Sequence, residues 1–285
     1  MEVLKALLLG IIHGFTEFLP VSSSGHISVV NYFLGETGSD NCFLTALLHL
    51  GTLIAVVISY RKLFKNLIIE AVLTVRDVFN RKFSFRGMTP IRRMLFFLIL
   101  SCVPMFFLLL PAGGSDLVFR KVAVFSMDDS ILCEGICFFI TGIVIVAADL
   151  ISQRYEKTRD MNALTAFIAG AAVTVSSAFP GLSGTGLTLS SGIVSGAEKN
   201  NMLRYSFIIA LPLVIASNIS ELHSAVELGS SVTFPAAIVG IIAAAVSGIF
   251  AIRLCVKLIR NNRLAYFGFY CFAAGAVCVI ATIFK

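Results

Sequence analysis

The sequence predicts an all-α, polytopic membrane protein whose centre is built from two interrupted helical regions. Hydrophobic residues make up 58% of the 285 positions and charged residues only 13%, whereas about a quarter of the residues in a soluble domain are charged. The mean hydropathy is +0.94, and several apolar runs reach the roughly 20 residues that a helix needs to cross a bilayer. These three observations exclude a soluble globular domain.

Six uninterrupted apolar runs are predicted to be complete membrane spans. A helix is the expected form of each run, because only helices and closed barrels satisfy every backbone polar group inside lipid. The runs cover residues 43–60, 91–111, 131–150, 203–220, 234–252 and 264–284. We expect them to belong to one membrane domain over residues 1–285.

The charged residues lie in short segments between these runs and set the orientation of the chain. Segment 61–93 carries nine Lys or Arg against two acids, and segments 151–161 and 253–263 are also basic. Cytoplasmic loops carry an excess of Lys and Arg, so these segments are predicted to be cytoplasmic. Segment 221–233 has no Lys or Arg and is predicted to be external.

The same arrangement bears on partners and on the membrane surface. The net charge of +6 does not indicate a nucleic-acid partner, because the charges lie between spans and no nucleic-acid-binding motif accompanies them. The stretch LFKNLIIEAVLTVRDV within the first basic segment is amphipathic. Such a helix is predicted to lie on the surface of the bilayer.

Two further apolar regions are interrupted by proline and polar residues. Region 3–36 contains GFTEFLPVSSSGH, and region 162–197 contains SSAFPGLSGTGLT. The orientation of the neighbouring spans requires that both ends of region 162–197 lie inside. Residue 42 is predicted to be external, so region 3–36 starts and ends outside if it is a hairpin too. Each region is therefore predicted to be a re-entrant hairpin, the first entering from outside and the second from inside.

The two regions also resemble each other at a constant offset of 160 residues. At this offset Pro20 aligns with Pro180 and Ser23 aligns with Ser183, and the spans that follow the two regions align as well. Because the regions enter from opposite sides, the sequence predicts an inverted-topology repeat. Its two halves are residues 1–150 and 151–285.

The residues after each proline are small or hydroxylated. A proline ends or kinks a helix, and a new helix that starts beyond it presents free N–H groups that suit a phosphate. Irregular backbone at membrane depth must be buried in protein or line a water-filled cavity. We favour an anion site over a simple packing break or hinge. The candidate substrate-binding residues are Ser22, Ser23, Ser24, Gly181, Gly184, Thr185 and Gly186.

Ionisable residues within the apolar regions are the other candidates, since such groups are costly in a membrane and often functional. Glu17 follows His13 by one helical turn and shares its face, and His26 begins the next half-helix. This cluster can bind a cation, transfer protons or hold a divalent ion at a phosphate, although His13 is equally explained as a neutral packed imidazole. His49 is interpreted as an interhelical hydrogen-bond partner.

The segments GFTEFLPVSSSGH and FPGLSGTGLT resemble the two signature segments of the undecaprenyl-diphosphatase family of bacitracin-resistance type. The resemblance covers nearly the whole chain, including HLGTLIAVV and RYSFIIALP. It implies an inverted-repeat protein of the bacterial plasma membrane that hydrolyses undecaprenyl diphosphate to the monophosphate. That reaction recycles the lipid carrier for cell-wall synthesis and gives bacitracin resistance. The resemblance also implies a site open to the external face and a divalent cation, Mg or Ca. A homodimer is a further expectation.

The first signature assigns roles through the resemblance. Glu17 matches the second acid of the family's paired acids, and His13 stands at the position of the first acid. His13 and Glu17 are therefore the implied metal ligands, and Glu17 is alternatively a base. His26 matches the family's histidine and is implied as general acid or base.

The second signature matches at five positions: Pro180, Gly181, Ser183, Gly186 and Thr188. The resemblance implies Ser183 as nucleophile or water-orienting group and Thr188 as a hydrogen-bond donor to a phosphate oxygen. Gly184 stands where the family has arginine, and Thr185 stands where it has a second serine.

The absent arginine leaves a second interpretation open. A guanidinium is a natural bidentate clamp for a diphosphate, and losing one such stabilising group costs roughly 10²–10³ in rate. Inverted repeats with broken helices are also a transporter design. The alternative is therefore a non-hydrolytic transporter or translocase of a polyprenyl phosphate or another anionic substrate.

Overall fold

The structure, a computed structural model, describes residues 2–36, 42–84, 87–108, 130–154, 158–227, 229 and 231–284, without the side chains of residues 220 and 224. Within these ranges the chain forms eleven α-helices. In chain order they are α1 (Glu2–Phe18), α2 (Ser23–Leu34), α3 (Cys42–Ser59), α4 (Arg61–Phe79), α5 (Pro90–Leu108), α6 (Leu132–Ser152), α7 (Ala163–Ala178), α8 (Gly184–Val194), α9 (Lys199–Glu227), α10 (Phe234–Arg260) and α11 (Ala265–Ile283).

Six of these helices are long and apolar enough to cross a membrane: α3, α5, α6, α9, α10 and α11. They correspond one for one to the six predicted spans, so the prediction of an all-α, polytopic membrane protein is confirmed. The end of the predicted 91–111 span beyond residue 108 lies outside the described residues. Segment 221–233, interpreted as a loop, is helical at its start, because α9 continues to Glu227, and its external position stays a prediction.

Both interrupted regions are helix–turn–helix units, as their prolines predicted. Helix α1 ends before Pro20, and α7 ends before Pro180. A serine side chain caps each new helix: the Ser22 hydroxyl accepts from Gly25 N at 3.3 Å, and the Ser183 hydroxyl accepts from Gly186 N at 3.0 Å. The re-entrant path and the division into halves stay predictions.

Small residues let α1 and α10 approach closely. A Cβ atom added at Gly10 would lie 2.8 Å from the Gly240 carbonyl oxygen, and one at Gly14 would meet the Ser247 hydroxyl and the Ala244 carbonyl. Glycines four residues apart on one face are a common contact between membrane helices. Helix α7 packs in the same way against α5, where Gly170 lies against the Ser101 backbone.

Helix α6 contacts both broken units, through α2 and α8. Helix α9 packs against both α3 and α8, and α6 packs against α8 and α11. Helix α4 is held to α5 by Arg92, which pairs with Glu70 at 3.0 Å and Asp77 at 2.9 Å. Helix α4 also exposes apolar side chains such as Ile68 and Val72, as expected of a helix on the membrane surface. Its position there stays a prediction.

Orientation can be tested by labelling single cysteines in intact cells. Arg76→Cys and Arg260→Cys are expected to resist a membrane-impermeant maleimide until the cells are permeabilised, because basic loops are cytoplasmic. Ser230 lies outside the described residues, so its exposed neighbour Ser231 serves as the external position, and Ser231→Cys should label at once. The unsubstituted chain gives the background, and strong external labelling at position 76 contradicts the orientation.

Candidate functional site

The turns of the two broken helices lie in direct contact. A Cβ atom added at Gly25, in the first turn of α2, would lie 2.7 Å from Gly181 Cα and 2.8 Å from Gly181 N. The Thr185 hydroxyl also donates to the Glu17 carbonyl at 3.3 Å. The turns of the two broken helices therefore form one composite surface.

A single hydroxyl on α6 fixes the second turn. Thr141 Oγ1 donates to the Gly181 carbonyl at 3.1 Å and accepts from Ser183 N at 3.1 Å. Gly181 has a φ of +95°, a conformation that glycine adopts without the penalty other residues meet. The turn is thus held by a side chain from outside both broken helices.

The first turn stores backbone strain at Ser22. This residue has a φ of +70°, which is uncommon for a residue with a Cβ atom. Its hydroxyl caps α2 and lies 3.4 Å from the Ser24 hydroxyl. Strained residues that persist in a fold tend to cluster at ligand sites, and this one lines the cavity described next.

A cavity of about 610 Å³ opens where the two turns meet. One part of its wall is polar and comes from both turns. The rest is largely apolar and comes from α5 and α9, including Met105, Phe106 and Leu213. The predicted site residues that line it are Glu17, Ser22, Ser23, Ser24, Ser183, Gly184 and Thr185. Such a shape suits an amphiphile with a polar head and a hydrocarbon chain.

Other predicted residues do not line this cavity. His26 Nδ1 donates to the Ser22 carbonyl at 2.6 Å, and Nε2 accepts from the Tyr270 hydroxyl at 2.7 Å. Thr188 is fully buried, and its hydroxyl lies 3.5 Å from the Ala169 carbonyl. Gly181 and Gly186 shape the second turn through their backbone.

An ionisable cluster borders the cavity at the end of α1. One ligand atom each of His13, Glu17 and His49 lies within 4.8 Å of the others. His13 Nε2 is 3.9 Å from Glu17 Oε2, and the rings of His13 and His49 meet edge to face with centroids 4.6 Å apart. Glu17 and His49 line the cavity, whereas His13 lies beneath with 2% of its surface exposed.

His49 bonds to α9, as its interpretation as an interhelical partner predicted. Its Nδ1 lies 2.9 Å from Oε2 of Glu221, and Asn218 on the same helix donates to the Ala46 carbonyl at 2.6 Å. The sequence interpretation missed His49 and Glu221 as site residues. For Glu221 a sequence signal was present: Ser217, Asn218 and Glu221 lie on one helical face of an otherwise apolar run.

Both ring nitrogens of His13 are buried without a hydrogen-bond partner. A buried polar group without a partner costs free energy, and most such groups in native proteins are satisfied. The orphaned nitrogens beside a carboxylate and a second imidazole fit a metal ion. His13 and Glu17, the two predicted ligands, thus lie together in the cluster.

Gly184 leaves room for a side chain at the position where the family resemblance implies arginine. A Cβ atom there would lie 2.9 Å from the Ser176 hydroxyl and would otherwise meet little. Ser176 and Gly184 both line the cavity. A longer side chain at position 184 would therefore begin at the polar part of the cavity wall.

Comparison with known proteins adds an independent finding. The model of the family described as bacitracin resistance protein BacA matches residues 6–277. The undecaprenyl-diphosphatase of Alkaliphilus metalliredigens is 31% identical, covering 99% of this chain and 100% of that protein. Proteins of the same name from Halothermothrix orenii and Korarchaeum cryptofilum are 30% and 31% identical, each covering at least 96% of both chains.

Proposed function

Because the chain belongs to the bacitracin resistance protein BacA family, we propose that it is an undecaprenyl-diphosphatase. It hydrolyses undecaprenyl diphosphate to the monophosphate and inorganic phosphate, and it does so as a multi-pass protein of the plasma membrane. The product is the lipid carrier for cell-wall synthesis, and its recycling gives bacitracin resistance. The transporter alternative is not favoured, since relatives at about 30% identity over nearly their full length are named for the hydrolase.

One observation carries the proposal: two helix-starting turns rich in hydroxyls face one cavity that also has a long apolar wall. The diphosphate would lie between the turns, where Ser23, Ser183 and the start of α8 offer donors to phosphate oxygens. The prenyl chain would follow the apolar side chains of α5 and α9. An anionic head and a hydrocarbon tail thereby find matching surfaces in one place.

In the reaction, a water oxygen attacks the terminal phosphorus while the bond from that phosphorus to the bridging oxygen breaks. Glu17 lines the cavity and is the proposed base for that water or a ligand of a cation. Ser183 orients that water. Alternatively, the Ser183 oxygen attacks the terminal phosphorus first, the lipid monophosphate leaves, and the water then hydrolyses the phosphoserine to phosphate. The second role requires its hydroxyl to leave the cap bond with Gly186 N.

The catalytic roles predicted for His26 and Thr188 stay predictions. In the described conformation neither side chain lines the cavity, so each would have to move to reach a phosphate. The hydrogen bonds of His26 to the Ser22 carbonyl and Tyr270 support a positioning role, since they fix the turn that carries the serines. The homodimer also stays a prediction.

His13, Glu17 and His49 are the residues that would hold a divalent cation. Bound there, the cation would offset the negative charge of the diphosphate oxygens. The orphaned nitrogens of buried His13 support this assignment.

Phosphate release is the direct test of the function. The purified protein, supplied with undecaprenyl diphosphate and a divalent cation, is expected to release one phosphate for each monophosphate lipid formed. Chromatography of the lipid product and a phosphate assay measure the two amounts. Absence of both products, together with transfer of intact lipid phosphate across vesicles, would support the transporter instead.

Restoring the family's arginine should speed the reaction. Gly184→Arg is expected to raise the rate of phosphate release about tenfold or more, because a guanidinium at the cavity wall stabilises charge on the transferring phosphoryl group. Ser176, the nearest obstacle, is small and can rotate away. Gly184→Gln is the matched control, since it adds a long polar side chain without the positive charge. An equal effect of the two variants, both folded, contradicts a charge-based clamp.

A further inference from the structure

We propose that His13, Glu17 and His49, with Glu221 hydrogen-bonded to His49, form a site selective for a transition-metal ion of the Zn²⁺ class rather than for Mg²⁺ or Ca²⁺. This proposal rests on the proposed function and specifies the metal that the site would hold. Zn²⁺ replaces the expected Mg²⁺ or Ca²⁺, because two of the three candidate ligands are histidines and only one is a carboxylate. The metal can be measured without turnover.

The geometry needs only small side-chain movements. Two ligand atoms at about 2.0–2.1 Å from a tetrahedral zinc ion lie about 3.3 Å apart. His13 Nε2 and Glu17 Oε2 are 3.9 Å apart, and all three ligand atoms lie within 4.8 Å of one another. Side-chain rotations that move the ligand atoms by about an ångström would bring all three to coordination distance.

A second, independent observation points to a ligand at this place. His13 is 2% exposed, and neither of its ring nitrogens has a hydrogen-bond partner. A merely packed imidazole would leave two buried polar atoms unsatisfied, at a cost of about 1–3 kcal/mol for each such group. A metal ion beside Glu17 removes that cost at one nitrogen.

Glu221 prepares His49 for the same ion. Its carboxylate accepts from Nδ1 of His49 at 2.9 Å, because an ionised carboxylate has no proton to donate. The proton on Nδ1 leaves Nε2 as the nitrogen with a free lone pair. This carboxylate–imidazole pairing is the usual outer support of a metal-bound histidine, and here it comes from a separate helix, α9.

The ligand types decide which metal is preferred. Mg²⁺ and Ca²⁺ favour sites made of oxygen ligands, whereas imidazole suits zinc and neighbouring transition metals. Two histidines with one glutamate are also the ligand set of known catalytic zinc sites, in which a fourth position stays open. Because Glu17 and His49 line the cavity, that position would be accessible from the cavity.

The test uses the full-length protein in detergent, stripped of metal and titrated with Co²⁺. We expect one Co²⁺ per chain, with the visible absorption of a four- or five-coordinate ion. Zn²⁺ should displace it, and a large excess of Mg²⁺ should not. Glu221→Gln is expected to weaken Co²⁺ binding about 10–100-fold, and His49→Ala should weaken it at least as much.

The matched control is His223→Ala. His223 lies on the same helix and pairs with Glu227 at 3.3 Å, but both side chains are more than half exposed. Its removal should leave the Co²⁺ affinity unchanged. If His49→Ala fails to fold, as judged by its elution in size-exclusion chromatography, Glu221→Gln alone decides.

The outcomes separate the metal site from the function. Co²⁺ binding that is equally strong in Glu221→Gln and wild type, or that Mg²⁺ displaces at similar concentration, overturns the site and leaves hydrolysis untouched. Tight Co²⁺ binding that depends on Glu221 supports the site even if no lipid diphosphate is hydrolysed, a result that would remove the proposed function alone.

Discussion

Replacing Glu17 by glutamine is expected to abolish metal-supported phosphate release, with a loss of about 10²–10³-fold or more in rate. Glu17 is the sole acid within residues 10–28 and 170–188, the cores of the two broken units. It also lines the cavity between the turns. The amide keeps the size of the side chain but can neither accept a proton as a base nor supply an anionic metal ligand.

The measurement is the rate of phosphate release at saturating lipid and cation, with thermal unfolding measured in parallel. Glu2→Gln is the matched control, because Glu2 lies on the same helix but bonds Thr233 at 2.8 Å on the protein surface. We expect Glu2→Gln to hydrolyse like wild type. A folded Glu17→Gln variant with a rate near that of wild type would remove Glu17 from the mechanism.

Gly25→Ala is expected to lower the rate of hydrolysis by about 10²-fold, because it pushes the two turns apart. The added methyl carbon would lie 2.7 Å from Gly181 Cα and 2.8 Å from Phe138 Cζ, and the backbone of Gly181 cannot rotate away as a side chain can. A displacement of about 1 Å between groups that act on one substrate can cost that much in rate.

Two measurements separate misplacement from unfolding: the hydrolysis rate and the midpoint of thermal unfolding. Gly87→Ala is the control, since a Cβ atom at Gly87 meets nothing within 4 Å and should leave both quantities unchanged. A stable Gly25→Ala protein with the wild-type rate would show that close contact between the turns is unnecessary for hydrolysis.

The helices and their breaks could be predicted because lipid restricts the backbone so strongly. An apolar run of about 20 residues has little alternative to a helix. Helices α1 and α7 end just before Pro20 and Pro180, whereas α5 and α9 continue through Pro104 and Pro212. The predicted end of α9 was wrong. There Glu221 was assigned to an external loop, although the helix continues past it to Glu227.

The site was less predictable, because it depends on which helices pack together. Glu17 and the serines after Pro20 could be identified from local pattern alone. Nothing local indicated that Glu221 would meet His49, 172 positions away. Likewise the sequence could not show that Tyr270 would hold the His26 ring, because contacts between distant segments are fixed only by tertiary packing.

The two hydrogen bonds of the Thr141 hydroxyl affect how tightly the lipid is held. Because a helix outside the hairpins fixes the Gly181–Ser183 backbone, the conformational entropy of that turn is lost during folding and not when substrate arrives. Ordering a loop at the moment of binding weakens affinity. Substrate affinity should therefore follow the contacts made with the phosphates and the prenyl chain, with little penalty from this segment.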